Sequence, residues 1–115
     1  MKNDYHSIVA DLNDSMAQLT KGIPDVMEGY KAMSSAAKAA GCLDTKTKEF
    51  IATAIGVAVR CDSCIASHTK AASVNGATRE EVLEALGIAV LMGGGPSVVY
   101  ASHALVAFDE FSNDT

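Results

Sequence analysis

The chain has 115 residues, 49% of them hydrophobic but only 5% aromatic, with 19 alanines, two prolines and no tryptophan. That length suits one domain, and small side chains with few breakers predict packed helices over a β-sandwich. Nine basic against fourteen acidic residues leave a formal charge of −5, which argues against non-specific binding to nucleic acid or an anionic membrane, since that rests on basic surface.

In chain order, the first amphipathic segment runs from about Asp4 to Leu19, with Ile8, Leu12, Met16 and Leu19 at three- and four-residue steps, and Gly22 ends it. Pro24 suits a first helical position, with Asp25 and Glu28 in the first turn, and this second helix is expected to reach Gly41. Asp44 or Thr45 caps a third helix to Val59, and the chain breaks near Arg60 to Asp62. A fourth helix spans Asp62 to Val74, before the stop signal Asn75-Gly76. Thr78 and Glu81 make a capping box for the fifth, and Gly93-Gly94-Gly95-Pro96 turns into the last. That glycine run lacks the Gly-Lys-Ser/Thr of a phosphate loop and is read as a helix–helix turn. Residues 113–115 are expected to fray. The expectation is an all-α, compact single-domain bundle of about six helices.

The opening stretch has no apolar run fit for a signal peptide, and Phe50 to Val59 is far short of the ~20 residues that span a bilayer. Three cysteines are too few and too odd a number for a disulfide scaffold. A cytoplasmic location is expected, where a close cysteine pair is catalytic or metal-binding more often than structural.

The chemistry concentrates between Glu49 and His68. Cys61 and Cys64 flank two residues at a helix start, within reach of a disulfide and near amides that stabilise a thiolate. His68 follows Cys64 by one turn, whereas Cys61 lies ~10 Å further along the axis. His68 therefore serves Cys64 as base more readily, which makes Cys64 the attacking thiol and Cys61 the resolving one. The preceding helix is apolar nearly all round from Phe50 to Val59, as in a buried central helix. Glu49, Thr53, Gly56 and Arg60 form its one polar or bare stripe. A hairpin of the two helices brings Glu49 towards His68 with an offset of several ångström, completing a Glu–His–Cys relay.

Glu, eleven residues, Cys-x-x-Cys, three residues, His: this pattern resembles the alkyl hydroperoxidase D-like branch of the carboxymuconolactone decarboxylase superfamily. The likeness continues through His68-Thr-Lys-Ala-Ala and Gly76-Ala-Thr-Arg-Glu-Glu to the glycine turn, covering roughly Leu43 to Ala107. It implies an all-α fold assembled as a homo-oligomer, commonly a trimer or hexamer, and a peroxidase-like dithiol chemistry without cofactor or metal. In that scheme Cys64 attacks hydrogen or organic peroxide, Cys61 condenses with the sulfenic acid, and a dithiol donor restores the pair. Glu49 and His68 relay protons. The hydroperoxidases of this branch carry a second histidine before the second cysteine, where this chain has Ser63.

Two other readings stand beside it. A carboxymuconolactone-decarboxylase-type lyase acting on a small lactone acid would need anion-binding groups and survive loss of Cys61. A non-catalytic redox or zinc module would use Cys61, Cys64 and His68 with Cys42, His103 or Glu49 as fourth ligand. Cys42 itself is expected to be a small buried residue, His6 and His103 to be surface or packing groups, and the methionines to fill core or interface. The hydrophobic fraction exceeds what a small domain buries, and the surplus is read as subunit interface.

Overall fold

A computed structural model describes residues 4–113 and contains six helices and no strand among them. They are α1 (Tyr5–Gly22), α2 (Pro24–Lys38), α3 (Thr45–Ala58), α4 (Asp62–Val74), α5 (Arg79–Gly93) and α6 (Gly95–Ser112). The expected fraying of the tail falls on Asn113, which continues from α6 as a hydrogen-bonded cap, and on two residues outside the described range.

Local chemistry sets most boundaries. Asp4, Asp44 and Thr78 cap α1, α3 and α5 by accepting amide hydrogens from Ser7, Thr47 and Glu81. At α5 the capping box closes, since the Glu81 carboxylate also accepts the Thr78 amide at 2.9 Å. Gly94 takes φ +69°, a conformation that costs glycine little, and turns α5 sharply into α6.

One boundary departs from expectation. α2 stops at Lys38 rather than continuing to Gly41, although Ala39 and Ala40 favour helix. The Lys48 ammonium, reaching over from α3, donates to the carbonyls of Ala37 at 3.0 Å and Ala39 at 2.6 Å. A tertiary cap thus satisfies the helix end early. Cys42 lies in the resulting loop and is exposed, not buried as expected.

The core gathers Val57, Ile65, Leu86, Ala104 and Phe108 with Tyr5 closing one side. α4 lies centrally, packed on α3, α6 and α1, while α2 touches only α1 and α3. Alanines on α4 and α6 allow the close approach: Ala66, Ala104 and Ala107 are fully buried.

The third helix corrects a further expectation. Apolar residues nearly all round suggested burial on every side, yet α3 turns Ile51, Ile55 and Val59 outward and buries Glu49, Thr53 and Gly56. Ile55 and Val59 are 57% and 63% exposed. Glu49, Thr53 and Gly56 of the expected stripe face inward, with Gly56 against Cys64 and Glu49 against His68 on α4, whereas Arg60 falls beyond the helix and is exposed.

Candidate functional site

The connection between α3 and α4 is three residues long, Val59 to Cys61. Arg60 occupies it at φ +60°, a left-handed conformation unusual for a side chain with a Cβ. The Cys61 amide donates back to the Gly56 carbonyl at 3.0 Å, which locks the turn. Gly56 makes this approach possible: a Cβ there would stand 3.3 Å from the Cys64 Cβ.

Cys61 is the N-cap of α4, and its sulfur accepts the Cys64 amide hydrogen at 3.1 Å. The two cysteines are joined as a disulfide with their Cα atoms 5.2 Å apart. The helix-start amide favours negative charge on the Cys61 sulfur when the bond opens.

The hairpin brings Glu49 and His68 into direct contact, closer than the offset of several ångström expected from helix geometry alone. The His68 Nδ1–H donates to Glu49 Oε1 at 2.6 Å. Glu49 is only 3% exposed, so a buried carboxylate is satisfied by one short bond. With Nδ1 held, Nε2 is the ring nitrogen left to exchange protons. Cys61, Cys64 and His68 line one cavity of about 890 Å³ between α4 and the α1–α2 pair, and Ser63 and Ser67 share its floor. Glu49 lies behind them, on a second cavity between α2 and α3 that His68 also borders.

One pair escaped sequence reasoning. His103 on α6 places Nδ1 3.5 Å from Oδ1 of Asp62, one of the two residues between the cysteines. Both atoms are buried and neither has a hydrogen-bond partner. No helical spacing links positions 62 and 103; only the packing of α4 on α6 joins them. His6 likewise meets a carboxylate, Glu110, at 3.3 Å. Of the residues weighed for zinc, none groups with Cys61, Cys64 and His68 within metal-binding distance among the described residues, whose one such cluster is Asp4, His6 and Glu110 at the surface.

The comparisons with known proteins agree with this architecture. A family model described as "Carboxymuconolactone decarboxylase family" matches residues 24–107. An uncharacterised protein of Cupriavidus necator is 38% identical over 109 residues, covering 95% of this chain and 96% of that protein. An uncharacterised protein of the cox locus of Paracoccus denitrificans is 32% identical, covering 84% of this chain and 86% of its own. Among solved structures, the apo form of a carboxymuconolactone decarboxylase family protein from Legionella pneumophila superposes with a TM-score of 0.92 at 47% identity, covering 94% of this chain and 96% of that one. A family member from Thermotoga maritima, described as possibly involved in antioxidative response, gives 0.82 at 28% identity, covering 93% and 91%. This chain belongs to the carboxymuconolactone decarboxylase family.

Proposed function

We propose that the protein is a thiol-dependent oxidoreductase that reduces hydrogen or organic peroxides through Cys64 and Cys61. One observation carries this reading: a disulfide at a helix start opens on a cavity beside a histidine whose far nitrogen is held by a buried carboxylate.

In the reduced protein the Cys64 thiolate attacks the outer peroxide oxygen. An S–O bond forms, the O–O bond breaks, and the alcohol or water that leaves takes a proton from His68. Cys61 then attacks the Cys64 sulfenic acid, forming the disulfide and releasing water. A dithiol donor attacks Cys64, because Cys61, steadied by the Cys64 amide, is the better leaving thiolate. The donor's second thiol resolves the mixed disulfide and frees Cys64. The sum is peroxide plus dithiol giving alcohol, water and the donor's disulfide.

The exposed apolar faces of α3, α5 and α6 support a homo-oligomer, a trimer or hexamer in keeping with the family resemblance. No helix among the described residues is long and apolar enough to cross a membrane. A reducing cytoplasm would regenerate the dithiol donor that the cycle needs.

Cysteine variants test the roles. Cys64→Ser should abolish peroxide consumption, and Cys61→Ser should leave a sulfenic acid on Cys64 that a dimedone-type reagent traps. Sulfenic acid on Cys61 in the Cys64→Ser protein would reverse the assignment.

A further inference from the structure

The wall of the redox cavity has a charge opposite to that of the protein. Its fifteen lining residues include Lys21, Lys31 and Lys38 and not one aspartate or glutamate, in a chain with fourteen acids and a net charge of −5. Of the five described basic residues outside the cavity wall, three have engaged side chains. Lys46 pairs with Glu81 at 2.9 Å, Arg79 with Asp109 at 3.0 Å, and Lys48 caps α2. The ammonium groups of the three cavity lysines make no hydrogen bond or ion pair among the described residues. Lys21 and Lys38 stand in the last turns of α1 and α2, where the helix dipole favours cations, but Lys31 is mid-helix and has no such reason. Nor does the dipole explain an acid-free lining.

Size points the same way. Hydrogen peroxide is close to a water molecule, whose share of liquid volume is ~30 Å³. The cavity measures about 890 Å³, within the range of sites for whole organic ligands. Leu12, Met16 and Ala17 give it an apolar side on α1, the helix whose last turn carries Lys21.

We infer that the organic substrate is an amphiphilic hydroperoxide bearing a carboxylate, such as a fatty-acid hydroperoxide. Its peroxide group meets Cys64, its hydrocarbon lies along α1, and its carboxylate is drawn to Lys21, Lys31 and Lys38. The inference rests on the redox reading and adds the substrate class. The chemistry is unchanged: Cys64 is oxidised by two electrons, the O–O bond breaks, and the hydroxy fatty acid leaves with a proton from His68.

The test compares a linoleic acid hydroperoxide with its methyl ester, which differs only in charge, in single-turnover oxidation of the reduced full chain. The acid should react about tenfold faster at low ionic strength, the scale of three exposed charges acting together, and raised salt should shrink the ratio. The triple variant Lys21→Gln, Lys31→Gln, Lys38→Gln should bring the acid-to-ester ratio close to one, and the corresponding Lys→Arg triple should keep it. A ratio is read within each variant, so a general loss of rate cancels. Equal rates for acid and ester in the wild type, or a preference that survives the Gln triple, overturns the inference. If no peroxide, hydrogen peroxide included, oxidises the cysteines, the redox reading fails. Calorimetric binding of laurate against methyl laurate then reads the anion site alone. Laurate binding lost in the Gln triple supports it, and no laurate binding by the wild type overturns it.

Discussion

At the residue scale, the Glu49–His68 bond is the most demanding feature of the protein. A carboxylate 3% exposed is tolerated inside an apolar bundle because the imidazole satisfies it at 2.6 Å. Glu49 touches no substrate in the proposed scheme and is a positioning residue there, holding the ring by Nδ1 and leaving Nε2 to exchange protons. Glu49→Gln keeps the shape and removes the charge that steadies the imidazolium. Peroxide reduction should fall about ten- to hundredfold, with a changed pH profile of kcat/KM, while the cysteines still form their disulfide with a chemical oxidant. An unchanged profile would reduce Glu49 to a packing role. Much of this site was legible in the sequence, since Cys61, Cys64 and His68 lie on one helix and helical spacing is local information. The Glu49 contact was legible only in outline. It depends on Arg60 at φ +60°, and an arginine announces no left-handed turn as a glycine would. The meeting of His103 with Asp62 was not legible, because residues 41 apart in the chain are joined by packing alone.

At the element scale, capping and charge pairs hold the helix starts. Glu81 closes the α5 cap and meets Lys46 of α3, whose hydrogen bond, with that of the Thr78 amide, holds its carboxyl below the ordinary 4.5. Asp44 at the start of α3 is held below the ordinary 3.8 by hydrogen bonds from the Thr47 side chain and amide. A carboxyl whose folded pKa is depressed adds stability that is present above its unfolded pKa and lost as pH falls through the folded one. Thermal stability should therefore be flat near neutrality and decline below about pH 4.5, modestly, because both groups are solvent-exposed. Lys46→Met should reduce the Glu81 part of that decline, leaving the share due to Thr78, as thermal melts across the acid range would read. An identical acid slope in the variant would contradict it. Helix starts were readable from such caps. The end of α2 was not, because Lys48 is ten residues beyond Lys38 in sequence and caps it only through the fold.

At the scale of the whole molecule, three helices leave large apolar side chains exposed. Ile51, Ile55 and Val59 on α3, Ile88, Leu91 and Met92 on α5, and Val98 and Val99 at the start of α6 all face outward. The ends of α3 and α5 meet, since a Cβ on Gly93 would lie 3.9 Å from the Ala58 Cα. Read as a sequence, α3 looked buried because it is apolar. Its apolar side is instead turned outward, to a second chain in the proposed assembly, and its polar side meets Cys64 and His68 on α4. Leu91 and Met92, 75% and 78% exposed, stand at the centre of that expectation. Ile55→Glu combined with Leu91→Glu should weaken self-association about thirtyfold or more and shift the mass seen by light scattering towards a single chain. A wild type that is monomeric at micromolar concentration would contradict the assembly.

The central claim, that Cys64 and Cys61 exchange two electrons with a peroxide, is tested most directly by single-turnover oxidation of the reduced wild type, followed by intact mass and peptide mapping. One peroxide should be consumed per chain, with loss of two hydrogens and a Cys61–Cys64 disulfide as the product, Cys42 remaining a free thiol. Peroxide left unconsumed while both thiols stay reduced would contradict it.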